Sequence, residues 1–205
     1  MDFYERLARR SPRLMEPGET AAVLLAFLKK EGEWHLLLEQ RAEHLNRQPG
    51  EICLPGGMAE PGETARAAAL REACEELLLT PAQLKLWGAG DVLPTPSGSA
   101  LHCFYGEILN YTGSFASCEV QSVFTIPVKW LLENPPREYT SRLATVPGED
   151  FPFDLIPGGK AYPWRQGKWP VFFYSYEGRV IWGITAKIIY RGLAALKELG
   201  GLPPI

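Results

Sequence analysis

Three glutamates in the middle of the chain, Glu72, Glu75 and Glu76, follow one another at i, i+3 and i+4. In a helix, that spacing places the three side chains on one side. Carboxylates this close together repel one another unless a cation lies among them, and their oxygens are the ligands that Mg²⁺ and Mn²⁺ prefer. The pattern predicts a divalent metal site on a helix. The simpler alternative is a solvated helix face.

The element that must position these carboxylates is a helix predicted from Thr64 to Leu79. It is expected to stop at Thr80, because Pro81 cannot continue a helix. The arc opposite the three glutamates is expected to pack against a core. Its residues are Ala67, Leu70, Ala73, Cys74, Leu77 and Leu78.

A glycine-rich turn, Gly56-Gly57, precedes the helix. Glycine lets the backbone approach a phosphate or a metal closely and adopt φ angles that other residues avoid. Glu63 lies just before the helix and Arg71 two turns into it. An ion pair between them is predicted to fasten the glycine turn to the helix.

From Gly57 onward, the spacing resembles the Nudix box, G-x5-E-x7-R-E-U-x-E-E-x-G-U, in which U is a bulky aliphatic residue. The matching residues are Gly57, Glu63, Arg71, Glu72, Glu75, Glu76 and Leu79. Ala73 is a small substitute for one aliphatic residue, and Leu78 replaces the final glycine. Because leucine in the left-handed conformation of a helix end costs roughly 1–2 kcal/mol, the helix is expected to run past Leu78.

The residues upstream of the box resemble a motif of coenzyme A pyrophosphatases. The agreeing residues are Leu37, Leu38, Arg41, Ala42, Gly50, Pro55, Gly56 and Gly57. Glu39 replaces a threonine of that motif, Asn46 its second arginine and Leu54 a phenylalanine. Residues 93–98, 119–120, 123–127 and 181–186 also resemble this subfamily.

This resemblance implies an α/β (α+β) fold, a Nudix-type α/β/α sandwich with a mixed central sheet. It also implies a Mg²⁺- or Mn²⁺-dependent pyrophosphohydrolase of coenzyme A or its acyl or disulfide derivatives. The implied metal ligands are Glu72, Glu75, Glu76 and the Gly56 carbonyl. The general base stays open between Glu72 and Glu119 on a later loop. Two other hypotheses are hydrolysis of another nucleoside diphosphate derivative and a catalytically silent nucleotide-binding module.

Two arginines upstream of the glycine turn, Arg41 and Arg47, are candidates for binding a substrate phosphate, since arginine can grip phosphate with two hydrogen bonds. Gly57 would let that phosphate approach the backbone. The alternative for each arginine is an ordinary surface or ion-paired side chain.

The 205 residues are expected to form one domain, with an N-terminal helix or extension over residues 1–18 and a long insertion or lid over 134–169. A net charge of −3 gives no overall basic field for nucleic acid or an anionic membrane. The four cysteines lack zinc-type spacing, and the chain starts without the apolar run of a signal peptide. A cytoplasmic protein with a small-molecule, coenzyme A-like substrate is expected, and a homodimer is compatible with these features.

Overall fold

The computed structural model describes residues 3–9 and 18–205. Ten strands and four α-helices lie within that part of the chain. The helices are α1 (Phe3–Ala8), α2 (Ala65–Glu76), α3 (Val128–Glu133) and α4 (Gly183–Glu198). The strands are β1 (Thr20–Lys30), β2 (Glu33–Arg41), β3 (Ile52–Cys53), β4 (Gly56–Met58), β5 (Leu84–Pro94), β6 (Ala100–Ile108), β7 (Val120–Pro127), β8 (Arg137–Leu143), β9 (Gly167–Tyr176) and β10 (Arg179–Trp182).

Seven of these strands form a mixed sheet, in which β3, β2, β1, β6 and β5 are neighbours in that order. β1 runs parallel to β6, and the other pairings are antiparallel. Two further strands join the same sheet, β4 alongside β1 and β7 alongside β2. The mixed central sheet predicted from the sequence is therefore confirmed.

Each face of this sheet has its own hydrophobic core, because β1 and β2 have apolar residues at consecutive positions. Successive side chains of a strand point to opposite faces, so both faces are apolar. Leu36 and Leu38 pack on one face with residues of α3 and α4. Leu37 packs on the other face with Ala73 and Leu77 near the C-terminal end of α2. Helices cover both faces, so the predicted α/β/α sandwich is confirmed.

Helix α2 begins where the sequence predicts, with the Thr64 hydroxyl accepting a hydrogen bond from the Ala67 amide at 3.2 Å. The predicted C-terminal end is wrong. The helix stops at Glu76, and Leu78 adopts the left-handed conformation with φ 51°. The Leu79 amide then donates to the Cys74 carbonyl at 2.9 Å, as in a Schellman motif.

The early helix end has a tertiary cause. The Glu76 carbonyl accepts from the Ala116 amide at 2.7 Å, and the Leu77 carbonyl accepts from the Ser114 hydroxyl at 3.0 Å. These two bonds satisfy carbonyls at the end of the helix and tie it to the loop before β7. These bonds offset the strain at Leu78. The conformational preferences of the neighbouring residues alone do not predict them.

We expect Leu78→Gly to stabilise the protein by about 1 kcal/mol, because glycine removes the left-handed strain and gives back part of that gain as unfolded-chain entropy. Leu78 is 58% exposed, so little packing is lost. Urea denaturation measures the change. The control is Leu132→Gly in α3, where a similarly exposed leucine (56%) has no such strain; it should destabilise by about 1 kcal/mol. A destabilised Leu78→Gly variant would contradict the strain argument.

Residues 134–169, predicted to be a long insertion or lid, include a regular strand. β8 pairs with β9, and β9 with β10, to form a separate three-stranded antiparallel sheet. All seven residues of β8 are exposed, which leaves no buried period-2 pattern to reveal the strand in the sequence. The rest of this segment contains two short 3₁₀ turns, Phe153–Leu155 and Gly159–Ala161.

At the N-terminal end, the predicted helix is present as α1, while residues 1–2 and 10–17 of the predicted extension lie outside the described residues. In the described ranges, no helix combines the length and the hydropathy required to cross a membrane.

Candidate active site

Arg71 connects the glycine turn to α2 through several charged hydrogen bonds. Its Nε and Nη2 bind the two oxygens of Glu63 at 3.1 and 3.0 Å, which is the ion pair predicted from the sequence. Nη2 also donates to the Met58 carbonyl at 3.2 Å. Nη1 contacts one oxygen each of Glu72 and Glu75 at 3.0 Å. A guanidinium therefore lies among the carboxylates that were predicted to need a cation.

The two glycines of the turn allow α2 to press its carboxylates against the backbone. Gly56 has φ 145°, and its amide donates to Glu76 Oε2 at 2.8 Å. A Cβ on Gly57 would lie 2.5 Å from Cδ of Glu72, so only glycine leaves room for that carboxylate. The close approach predicted for this turn is thus made by the protein's own acidic groups.

The predicted division of α2 into an acidic face and a packing face is wrong in part. Glu76 is only 3% exposed and lies on the buried side with Ala69 and Ala73. Ala67 and Leu78, expected to pack, are exposed. The small alanines let the helix approach the sheet so closely that part of the acidic stripe faces inward.

Glu119 is exposed at the end of the loop that follows β6, just before β7. Its main-chain carbonyl accepts from the Ala42 amide at 2.9 Å, and the same loop contacts the end of α2 through Ala116. These bonds bring Glu119 near the α2 carboxylates, where its charge contributes to raising the pKa of Glu72 and of Glu76.

Burial dominates the electrostatics of the α2 carboxylates. It raises the pKa of Glu72, and it raises the pKa of Glu76 to about 8, with the charges of Glu72 and Glu119 adding to the effect. Hydrogen bonds from Arg71 instead lower the pKa of Glu63. The anionic form is therefore favoured for Glu63 and disfavoured for Glu76.

Sequence reasoning missed one acidic residue at this site, Glu39 in β2. It is 1% exposed, and its Oε1 is buried without a hydrogen-bond partner. Burial raises the pKa of Glu39 well above its usual range, and the charge of Glu76 raises it further. A carboxylate directly after the apolar run Leu36-Leu37-Leu38 is the sequence signal that could have identified it.

The donor groups fit a divalent cation better than they fit one another. In residues 3–9 and 18–205, no three acidic, histidine or cysteine side chains converge at metal-binding distance. Arg71 holds an oxygen of Glu72 and of Glu75. Yet Glu39 has an orphaned buried oxygen, and Glu76 is a buried carboxylate compensated mainly by one amide. Hard oxygen donors with uncompensated charge are the set that binds Mg²⁺ or Mn²⁺.

A cleft of about 510 Å³ opens beside the glycine turn. The two predicted phosphate-binding residues, Arg41 and Arg47, both line it together with Gly56. Arg41 Nε donates to the Arg47 carbonyl at 3.3 Å, which ties the two residues together. Parts of the later motifs also reach this cleft: Thr95, Pro96, Ser97, Ile184 and Thr185.

Comparison with known protein families gives one match that covers most of the site. The model of the NUDIX domain matches residues 18–145, which include the glycine turn, α2 and the Glu119 loop.

Curated relatives with similar sequences include two hydrolases. Nudix hydrolase 3 of Caenorhabditis elegans is 31% identical over 203 residues, covering 92% of this chain and 79% of the relative. The peroxisomal coenzyme A diphosphatase of Mus musculus is 33% identical over 138 residues, covering 63% of this chain and 55% of the relative. Among solved structures, a MutT/nudix family protein from Enterococcus faecalis superposes with a TM-score of 0.50 at 13% identity, covering 97% of this chain and 70% of that one. That likeness concerns the fold alone.

Proposed function

The chain belongs to the Nudix hydrolase family, and from that premise we propose that it is a divalent-cation-dependent diphosphatase acting on coenzyme A or its acyl or disulfide derivatives. The observation that supports this most is a group of carboxylates on α2, of which Glu76 is buried and poorly compensated. Its oxygen accepts the amide of Gly56, which also lines the cleft that contains the two arginines. The first group suits a cation, and the second suits a substrate phosphate.

The residues that would hold the cation are Glu72, Glu76 and the Gly56 carbonyl, joined by Glu75 once it leaves Arg71. A bound Mg²⁺ or Mn²⁺ supplies charge neutralisation for the diphosphate and a lower pKa for the attacking water. Arg71 and Glu63 keep α2 fixed to the glycine turn through their two parallel hydrogen bonds. The carboxylates are thereby held in place before substrate binds.

The chain's own groups would then guide the hydrolysis. Arg41 and Arg47 bind phosphate oxygens in the cleft, and Gly57 lets the diphosphate come close to the backbone. Water forms a new bond to one phosphorus, the bridging P–O bond breaks, and the water's proton passes to a carboxylate. Glu119 and Glu72 are the two candidates for that acceptor: Glu119 is exposed, and Glu72 has a raised pKa. The products from coenzyme A would be 3′,5′-ADP and phosphopantetheine.

Substrate choice is supported by the upstream residues and by the coenzyme A diphosphatase among the relatives. Other nucleoside diphosphate derivatives share the same bond, so the choice rests on the cleft and not on α2. We expect kcat/KM for coenzyme A or acetyl-coenzyme A to exceed that for ADP-ribose, NADH and diadenosine polyphosphates. Chromatography of the products with Mg²⁺ and with Mn²⁺ measures each rate.

The variant Arg47→Ala tests, in the same assay, whether the cleft binds a substrate phosphate. Loss of a charged hydrogen bond to phosphate, about 1.5–3 kcal/mol, should lower kcat/KM for coenzyme A about 10- to 100-fold. The control, Arg142→Ala, removes an exposed arginine of β8 and should leave the rate unchanged. Preferential cleavage of ADP-ribose would refute the coenzyme A assignment. Retained ligand binding without any turnover would favour a silent binding module.

A further inference from the structure

Glu39 lies on the face of the central sheet that α2 covers. Side chains alternate along β2, and Leu37 packs against Ala73 and Leu77 of α2. Glu39 follows two residues later in the same strand and shares that face. Its neighbour across the β2–β7 ladder, Val123, packs against the same core, which supports this placement. The carboxylate thus enters the site from the sheet side, beneath the helix.

No bond within the site compensates the carboxylate oxygen of Glu39 that is most deeply buried. The side chain is 1% exposed, and Oε1 has no hydrogen-bond partner. A buried carboxylate without a partner is strongly unfavourable, so such groups normally bind a cation or lose their charge. Nothing in the packing of β2 requires an acid at this position, where the resembled upstream motif has threonine.

The charges that act on Glu39 come mainly from other acids of the site. Besides burial, the charge of Glu76 raises the pKa of Glu39 most, and those of Glu119 and Glu72 raise it further. The charge of Arg41 lowers it. Arg71 is committed to Glu63, Glu72 and Glu75. Arg71 therefore compensates Glu72 in part, but none of its hydrogen bonds goes to Glu39 or Glu76.

We propose that Glu39 is an additional carboxylate ligand of the divalent cation, approaching it from the sheet beside Glu76. This inference rests on the proposed function, because it concerns the same cation. It adds a ligand outside the box and predicts tighter metal binding than the α2 carboxylates alone would give. The competing arrangement is a protonated Glu39 that shares a hydrogen bond with Glu76 and never touches the metal.

The test is direct binding of Mn²⁺ to the purified, metal-free protein, measured from the electron paramagnetic resonance signal of free Mn²⁺. We expect Glu39→Gln, which keeps the size of the side chain and removes its charge, to weaken Mn²⁺ binding at least about tenfold. Glu39→Asp keeps the charge and should retain part of the affinity. The matched control is Glu33→Gln, at the exposed start of the same strand, which should bind as the wild type does.

Thermal unfolding separates a ligand from a structural acid. If Glu39 is a ligand, Glu39→Gln should unfold at an equal or higher temperature than the wild type without metal, and gain less from added Mn²⁺. A structural acid would show the reverse, a lower metal-free unfolding temperature with unchanged Mn²⁺ affinity. Equal affinity in wild type and Glu39→Gln overturns this inference alone. A wild type that binds no Mn²⁺ overturns both it and the proposed function.

Discussion

Replacing Glu76 with glutamine should lower metal-dependent kcat/KM by about 10³-fold or more while the protein stays folded. Glu76 is buried, and its Oε2 accepts the Gly56 amide at 2.8 Å, so its position is fixed beside the glycine turn. Glutamine can still accept that bond but contributes no negative charge to a cation. The loss of several kcal/mol of charge stabilisation in the transition state corresponds to a rate loss of about this size.

The measurement is steady-state hydrolysis of coenzyme A with saturating Mg²⁺, together with circular dichroism of the variant. Glu133→Gln, at the exposed end of α3, is the control and should retain full activity. Because the amide removes a buried carboxyl whose pKa is raised to about 8, the metal-free variant should be at least as stable as the wild type at neutral pH. Unchanged hydrolysis by Glu76→Gln would mean that α2 does not carry the chemistry.

Gly57→Ala should lower the rate about 100-fold without unfolding the protein. The new Cβ would lie 2.5 Å from Cδ and 2.6 Å from Oε1 of Glu72, so the carboxylate must move. The obstructing atoms are the end of a flexible side chain, so the fold can accommodate the methyl group when the Glu72 carboxylate moves. Catalysis is lost because that carboxylate is then out of position. A displacement of about 1 Å in a catalytic group is enough for a loss of this size.

Gly88→Ala is the matched control for that variant, because a Cβ at Gly88 meets nothing within 4 Å and its φ is not in the left-handed region. Kinetics and thermal unfolding of the two variants should be compared side by side. A Gly57→Ala enzyme with normal kcat would show that Glu72 need not stay against the glycine turn. If the variant unfolds, the methyl group destabilises the fold instead of displacing the catalytic carboxylate.

Much of the site was predictable because its spacing follows from helix geometry. The capped start of α2 and the pair between Glu63 and Arg71 follow from local residues and a fixed number of turns. These features depend on contacts that are short in sequence or repeated along an element. The mixed sheet was predicted only from the resemblance to the Nudix family.

What the sequence could not supply are contacts between distant segments. Leu78 adopts a left-handed conformation because Ser114 and Ala116 hold the end of the helix. Glu76 turns inward because the alanines of α2 allow close packing on the sheet. β8 was missed because its side chains are exposed and its only sheet neighbour, within the described residues, begins 24 residues after β8 ends.

Glu39 illustrates the same limit at the level of function. Read along the chain, it is a departure from a motif, an acid where the resembled pattern has threonine. Only the stacking of β2 under α2 shows that this acid joins Glu72 and Glu76. The acidic residues of the site are therefore distributed between a helix motif and Glu39, which lies 33 residues before Glu72 in the chain.

The most direct test of the central claim is hydrolysis of coenzyme A in ¹⁸O-labelled water, with Mg²⁺ or with a chelator, followed by mass spectrometry of both products. Cleavage at the diphosphate predicts 3′,5′-ADP and phosphopantetheine, with one ¹⁸O atom in one of the two products. The chelator should abolish both products. Undiminished cleavage in the presence of chelator, or no cleavage of any diphosphate substrate with either cation, would contradict a metal-dependent diphosphatase built on α2.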